Sequence, residues 1–143
     1  ALFTTNPNTS LGHRIVFAEN TMEMIKASPF FGVGTGDFPA EYTKINLINS
    51  PAVKPTVQPH NMYLYVLAQL GLLGFVSFLW IFYVQFQLAM VSKNQFIHHV
   101  GIALPFLFMI IMLSDTYLLG HFTSNLFILF SSFIYSNKSI SES

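Results

Sequence analysis

Residues 62–91 contain no Asp, Glu, Lys or Arg, and nearly every side chain among them is apolar. A helix needs roughly 20 apolar residues to cross the hydrocarbon core of a bilayer. The run is therefore long enough to begin above a membrane, or at its surface, and to cross it from near Leu70 onward. The rest of the chain agrees with a membrane setting. Of its 143 residues, 52% are hydrophobic and 8% charged, whereas soluble domains carry roughly 25% charged residues. A formal net charge of zero gives no basic field for nucleic acid. The absence of cysteine excludes disulfides and thiolate metal sites. The class these facts imply is an all-α, polytopic membrane protein.

The organisation along the chain follows from where the apolar pattern breaks. The chain opens Ala1-Leu2-Phe3 inside a polar region, with no signal peptide in view. It reads as the C-terminal piece of a larger membrane protein, inactive by itself. Residues 1–61 form a loop region. Within it, residues 10–28 have amphipathic helical spacing, with Ile15, Ala18, Met22 and Ile25 on one face and Glu19, Glu23 and Lys26 on the other. Arg14 projects along the apolar stripe, and no carboxylate stands at its i+3 or i+4 position. Ser28-Pro29 ends the helix. The sequence from Gly32 to Gly36 makes a tight turn, and Asp37 caps a short second helix through Pro39, Glu41 and Tyr42. Residues 49–59, with three prolines, read as an extended, mobile loop.

Residues 62–91 then supply an entry helix and first span, and 92–99 a far-side loop that holds His98 and His99. Residues 100–136 supply a second and a third span. Pro105 kinks the second, and the last apolar stretch is short enough to borrow residues 117–119. Residues 137–143 are a polar tail. Counting crossings puts Arg14, His60, Asp115 and His121 on one side of the membrane and Lys93 and Lys138 on the other.

The chemistry concentrates where the loop meets the first span, at Pro59-His60-Asn61-Met62-Tyr63-Leu64. Proline is excluded from a helix interior and asparagine is a good N-cap, so His60 stands at a helix N-terminus. Unpaired backbone N–H groups and the helix dipole favour an anion there. Histidine as a residue type titrates near neutrality, which suits it to work beside a phosphate-linked lipid.

Three elements in order carry a resemblance. They are Arg14 on its amphipathic segment, then Pro29-Phe30-Phe31-Gly32-Val33-Gly34-Thr35-Gly36-Asp37-Phe38, then Pro59-His60-Asn61-Met62-Tyr63-Leu64 with Leu70-Gly71-Leu72-Leu73-Gly74. Together they resemble the O-antigen ligase and polymerase family of bacterial inner-membrane glycosyltransferases, over about residues 10–80. The resemblance implies a multi-pass inner-membrane protein with its active face in the periplasm, so residues 1–61 become a periplasmic loop and residues 92–99 and 137–143 cytoplasmic. It implies transfer of a glycan from undecaprenyl diphosphate to an acceptor hydroxyl, here the lipid A–core of lipopolysaccharide. It also implies that His60 and Arg14 are the catalytic pair. His60 would take or position the proton of the acceptor hydroxyl, and Arg14 would bind diphosphate oxygens with its planar fork. Asn61, Gly34, Gly36, Asp115 and His121 are the further candidates for substrate contact. Membrane lipid is a partner; no nucleic acid, cofactor or metal is expected. Two positions depart from the family pattern: Gln58 stands where a histidine is frequent, and Gln69 where an acidic residue is frequent.

Plainer readings remain for each residue. For His60 the plainer reading is a capping or headgroup histidine, and for Arg14 a snorkelling side chain. Asp115 and His121 serve as interface groups that meet water. The glycine run lacks the preceding strand and the lysine of a phosphate-binding loop. It reads as a turn that lets backbone approach the membrane or substrate. Rival functions are an O-antigen polymerase, a protein O-oligosaccharyltransferase, a transporter fragment with the loop as its lid, and a non-catalytic assembly module.

Overall fold

A computed structural model of the chain describes residues 9–136. The first eight residues and the polar tail at 137–143, with Lys138, lie outside them. The described residues form five α-helices and no strand: α1 (Ser10–Ala27), α2 (Phe38–Asn49), α3 (Met62–Met90), α4 (Gln95–Ile111) and α5 (His121–Tyr135). The chain divides into two compact units within α3, after Val76.

In the first unit, Thr9 caps α1 by accepting the Gly12 N–H at 3.0 Å, and Ser28 closes it with an N–H to the Met24 carbonyl. The buried face of α1 differs from the sequence expectation. It runs through Gly12, Asn20, Thr21, Met24 and Ile25, with Phe17 packed at its edge, while Met22 is 42% exposed. At 100° per residue this face is rotated by about 125° from the apolar stripe. The reason is that two of its positions are polar. Asn20 donates to the Tyr42 hydroxyl (3.3 Å) and to Asn46 Oδ1 (3.2 Å), and accepts from Asn49 Nδ2 (3.4 Å). Thr21 donates to the Phe17 carbonyl. Asn46 donates onward to the Val53 carbonyl at 2.8 Å, and Val53 is itself buried, so the proline-rich loop is anchored in the middle. Around this network pack Met24, Ile25, Phe38, Tyr42 and Ala68. Helix α2 is longer than expected, since it continues from Tyr42 to Asn49.

Residues 62–90 do not make one unbroken helix. At Gly71 the backbone takes φ 63° and ψ −166°, outside the helical region. In a continuous helix the N–H groups of Leu72 and Leu73 would bond the carbonyls of residues 68 and 69. Instead Leu72 donates to the Pro29 carbonyl (2.8 Å) and Leu73 to that of Phe30 (3.4 Å). The freed carbonyls of Ala68 and Gln69 accept from Val33 (2.9 Å) and Gly34 (3.0 Å). Two helical bonds are thus replaced by four bonds to the glycine-rich turn. The two backbones meet at Gly32 and Gly71, where a Cβ on either would overlap the other segment's main chain.

The second unit is held by rings and a few polar bonds. Phe127 packs on Phe82 (centroids 5.7 Å) and Phe108 (4.6 Å). Gln85 Nε2 donates to Ser131 Oγ at 3.1 Å, and the Tyr135 hydroxyl to the Gly101 carbonyl at 2.6 Å. Helix α4 begins earlier than expected. Asn94 caps it by accepting the N–H groups of Phe96 and Ile97, so His98 and His99 lie in its first turns rather than in a loop. Pro105 lies inside α4. Tyr117–Leu119 is a separate 3-10 turn, divided from α5 by Gly120. Among the described residues, α3 is the one helix long and apolar enough to cross a membrane; α4, with 17 residues, is a shorter apolar helix.

Candidate functional site

His60 stands just before the N-cap of α3. Asn61 accepts the Leu64 N–H on its side chain (3.1 Å) and the Tyr65 N–H on its carbonyl (3.0 Å), which fixes where the helix starts. His60 itself adopts φ 53°, the sole non-glycine positive φ among the described residues. A non-glycine residue in this region costs of order 1–3 kcal/mol and persists where its surroundings over-determine it; such positions gather at functional sites. Here the surroundings are a buried Pro59 on one side, the capped helix on the other, and a ring.

That ring is Phe17 of α1, stacked on His60 with centroids 5.9 Å apart and planes 27° apart. Phe17 also stacks on His13 (6.0 Å, 16°) and meets the buried Tyr42 edge-on at 6.2 Å. Tyr42 is fully buried, and desolvation raises its pKa, partly countered by the hydrogen bond from Asn20. The phenol therefore stays neutral and acts as a wall. Phe17 thus joins the α1–α2 core to His60. Arg14 lies three residues before Phe17 on the exposed side of α1, so it is the neighbour of Phe17 along the helix surface. His60, 46 positions after Arg14 in sequence, stacks on the ring of Phe17, the residue that stands at i+3 from Arg14 on α1.

His13 was not among the sequence candidates. Its signal was present as an aromatic pair at i, i+4 with Phe17, the spacing at which helix side chains meet. The long-range stack of Phe17 on His60 left no such mark.

The glycine run plays a different part from an open donor nest. Gly34 N–H goes to the Gln69 carbonyl and Gly36 N–H to Gln69 Oε1 at 2.8 Å. Gln69, one of the departures from the family pattern, is thus buried and holds the turn through two atoms. Gly34 and Gly36 have φ of 109° and 92°, which favours glycine at both. Asp115 and His121 belong to the second unit. Asp115 Oδ1 accepts the Thr116 N–H at 2.7 Å, and His121 is exposed as the first residue of α5. Among the described residues, no three His, Cys, Asp or Glu side chains gather as a metal site.

Neither the curated proteins nor the solved structures contain a match to this chain. A family model does match it. The model is described as O-Antigen ligase and covers residues 2–79, more than half of the sequence. The matched stretch holds Arg14, the glycine turn, His60 and the Gly71 break. The chain belongs to the O-antigen ligase family.

Proposed function

We propose that this chain carries the glycan-transfer site of a multi-pass bacterial inner-membrane enzyme, open to the periplasm. It joins a glycan from undecaprenyl diphosphate to a hydroxyl of lipid A–core. The observation that carries this reading is the strained, ring-backed His60 beside the helix that bears Arg14. In the reaction, the acceptor oxygen bonds to the anomeric carbon of the donor. The bond from that carbon to the diphosphate oxygen breaks, and its electron pair leaves with undecaprenyl diphosphate. His60 takes the proton of the attacking hydroxyl. Arg14 binds the diphosphate oxygens as their charge grows, a site where a fixed cation stabilises the transition state more than the ground state. Asn61 holds His60 at the end of α3. Three spans, from α3, α4 and α5 with their flanking residues, put Arg14, His60, Asp115 and His121 on the periplasmic side.

The test is core-linked glycan on a gel, normalised to membrane protein, in cells whose intact protein carries single substitutions. His60→Asn is the informative change, because asparagine accepts a left-handed backbone readily and cannot replace the base. Transfer should fall by about 10²–10⁴ with insertion unchanged. Arg14→Lys keeps the charge and loses the fork, and should fail nearly as badly as Arg14→Ala. Full transfer in His60→Asn would sink the reading. The lipid-linked pool separates the neighbouring activities: long chains held on the carrier indicate ligation, single repeats on the core indicate polymerisation, and a bare protein acceptor indicates protein glycosylation.

A further inference from the structure

Phe30 and Phe31 lie at the tip of the turn, 60% and 76% exposed. Residues 27–36 around them carry no charge. Beside them, across the backbone latch, Leu72 and Leu73 are 47% and 58% exposed. These four residues are held together by the bonds from Leu72 and Leu73 to Pro29 and Phe30, so the Phe pair has a fixed level along α3. That level is set by the break at Gly71. Beyond it, residues 72–90 run helical for about 28 Å at 1.5 Å per residue, close to the roughly 30 Å hydrocarbon thickness. A break in a spanning helix would expose unpaired backbone groups to lipid, which is tolerated only where they are bonded within the protein. The turn supplies those bonds. The segment above the break, 62–70, packs instead on the core of α1 and α2 through Leu64, Tyr65, Leu67 and Ala68.

We infer that the Phe30-Phe31 tip is a lipid-docking wedge: it enters the bilayer at the level where α3 does and sets the height of the His60–Phe17 site above the membrane. The occupant of this apolar surface is lipid, because the surface continues directly into the apolar face of α3 and contains no charge that would call for a polar partner.

The experiment uses tryptophan as a depth gauge. Trp80 is the chain's single tryptophan and lies near the middle of residues 72–90. In phosphatidylethanolamine–phosphatidylglycerol nanodiscs, Trp80 should be quenched most by lipids brominated near the chain end. Phe31→Trp combined with Trp80→Phe should reverse the order. Lipids brominated near the glycerol should remove about half or more of its emission, since a wedge seats roughly 5–10 Å into the boundary. Phe30→Trp in the same background provides a second reporter should one position perturb the turn. Emission from both reporters that no brominated lipid quenches would overturn the wedge, whether water or protein covers them. The Trp80 reading tests the span separately, and quenching reports position rather than transfer. Failure of the wedge is therefore distinguishable from failure of the catalytic reading.

Discussion

The two units of this chain are built on opposite principles. The first buries polar groups and satisfies them: Asn20, Asn46 and Gln69 are each at least nine-tenths buried and each bonded to a defined partner. The second buries rings and leaves its polar atoms sparse. Its buried polar side chains among the described residues are Thr116 and Gln85; Gln85 bonds Ser131 through its nitrogen, while its Oε1 is buried without a partner, the one such side-chain atom among the described residues. Buried polar networks fix one geometry when complete. Apolar packing tolerates rearrangement when volume is kept. The unit with the candidate chemistry is the one with the fixed geometry.

Three substitutions and one control test that contrast, and thermal melting of the reconstituted chain followed by circular dichroism reads each. The largest effect belongs to Gly71→Ala. The new methyl would overlap the Phe30 and Phe31 backbone at a φ that alanine resists, and a loss of about 2–5 kcal/mol is expected from overpacking and strain together. Gly36→Ala is its control, since a Cβ there meets open space and only the φ penalty of about 1–2 kcal/mol remains. An equal response at both positions would show that the latch is not what the glycine serves. Next comes Asn46→Ala, which removes one of the bonds of Asn20 and the side-chain donor to the Val53 carbonyl. It should cost about 1–3 kcal/mol. The smallest effect is expected for Gln85→Leu, which removes one satisfied and one unsatisfied atom; hydrogen bonds between membrane helices average about 0.6 kcal/mol. A large loss at Gln85 with little at Asn46 would invert the comparison.

Sequence legibility follows the same division. Helix ends set by local chemistry could be read: Ser28-Pro29 closing α1 and Asn61 opening α3 fall where expected. The face of α1 could not, because Asn20 and Thr21 are polar residues that only a tertiary network makes buried. The break in α3 was hidden because Gly71 lies in an apolar run and is compatible with helix. Only the distant turn, offering four backbone bonds, makes the break the better state. The start of α4 was readable from Asn94 as a cap, but the adjacent histidines read as loop. At the candidate site, Arg14 and His60 stand out in the sequence by family pattern, whereas the stack of Phe17 on His60 is a contact between segments far apart in sequence.

The latch also dictates an order of events during synthesis. Residues 29–36 emerge well before residues 68–73, yet the donors of Val33 and Gly34 have their partners only in that later stretch. Until residues 68–73 are made, the amides of Val33 and Gly34 must stay with water. Once residues 68–73 arrive, all four bonds become available at once, since each requires the same bend at Gly71. Hydrogen exchange at Val33, Gly34, Leu72 and Leu73 should therefore slow in a single step, and the turn should acquire its shape as a consequence of the bend at Gly71 rather than before it.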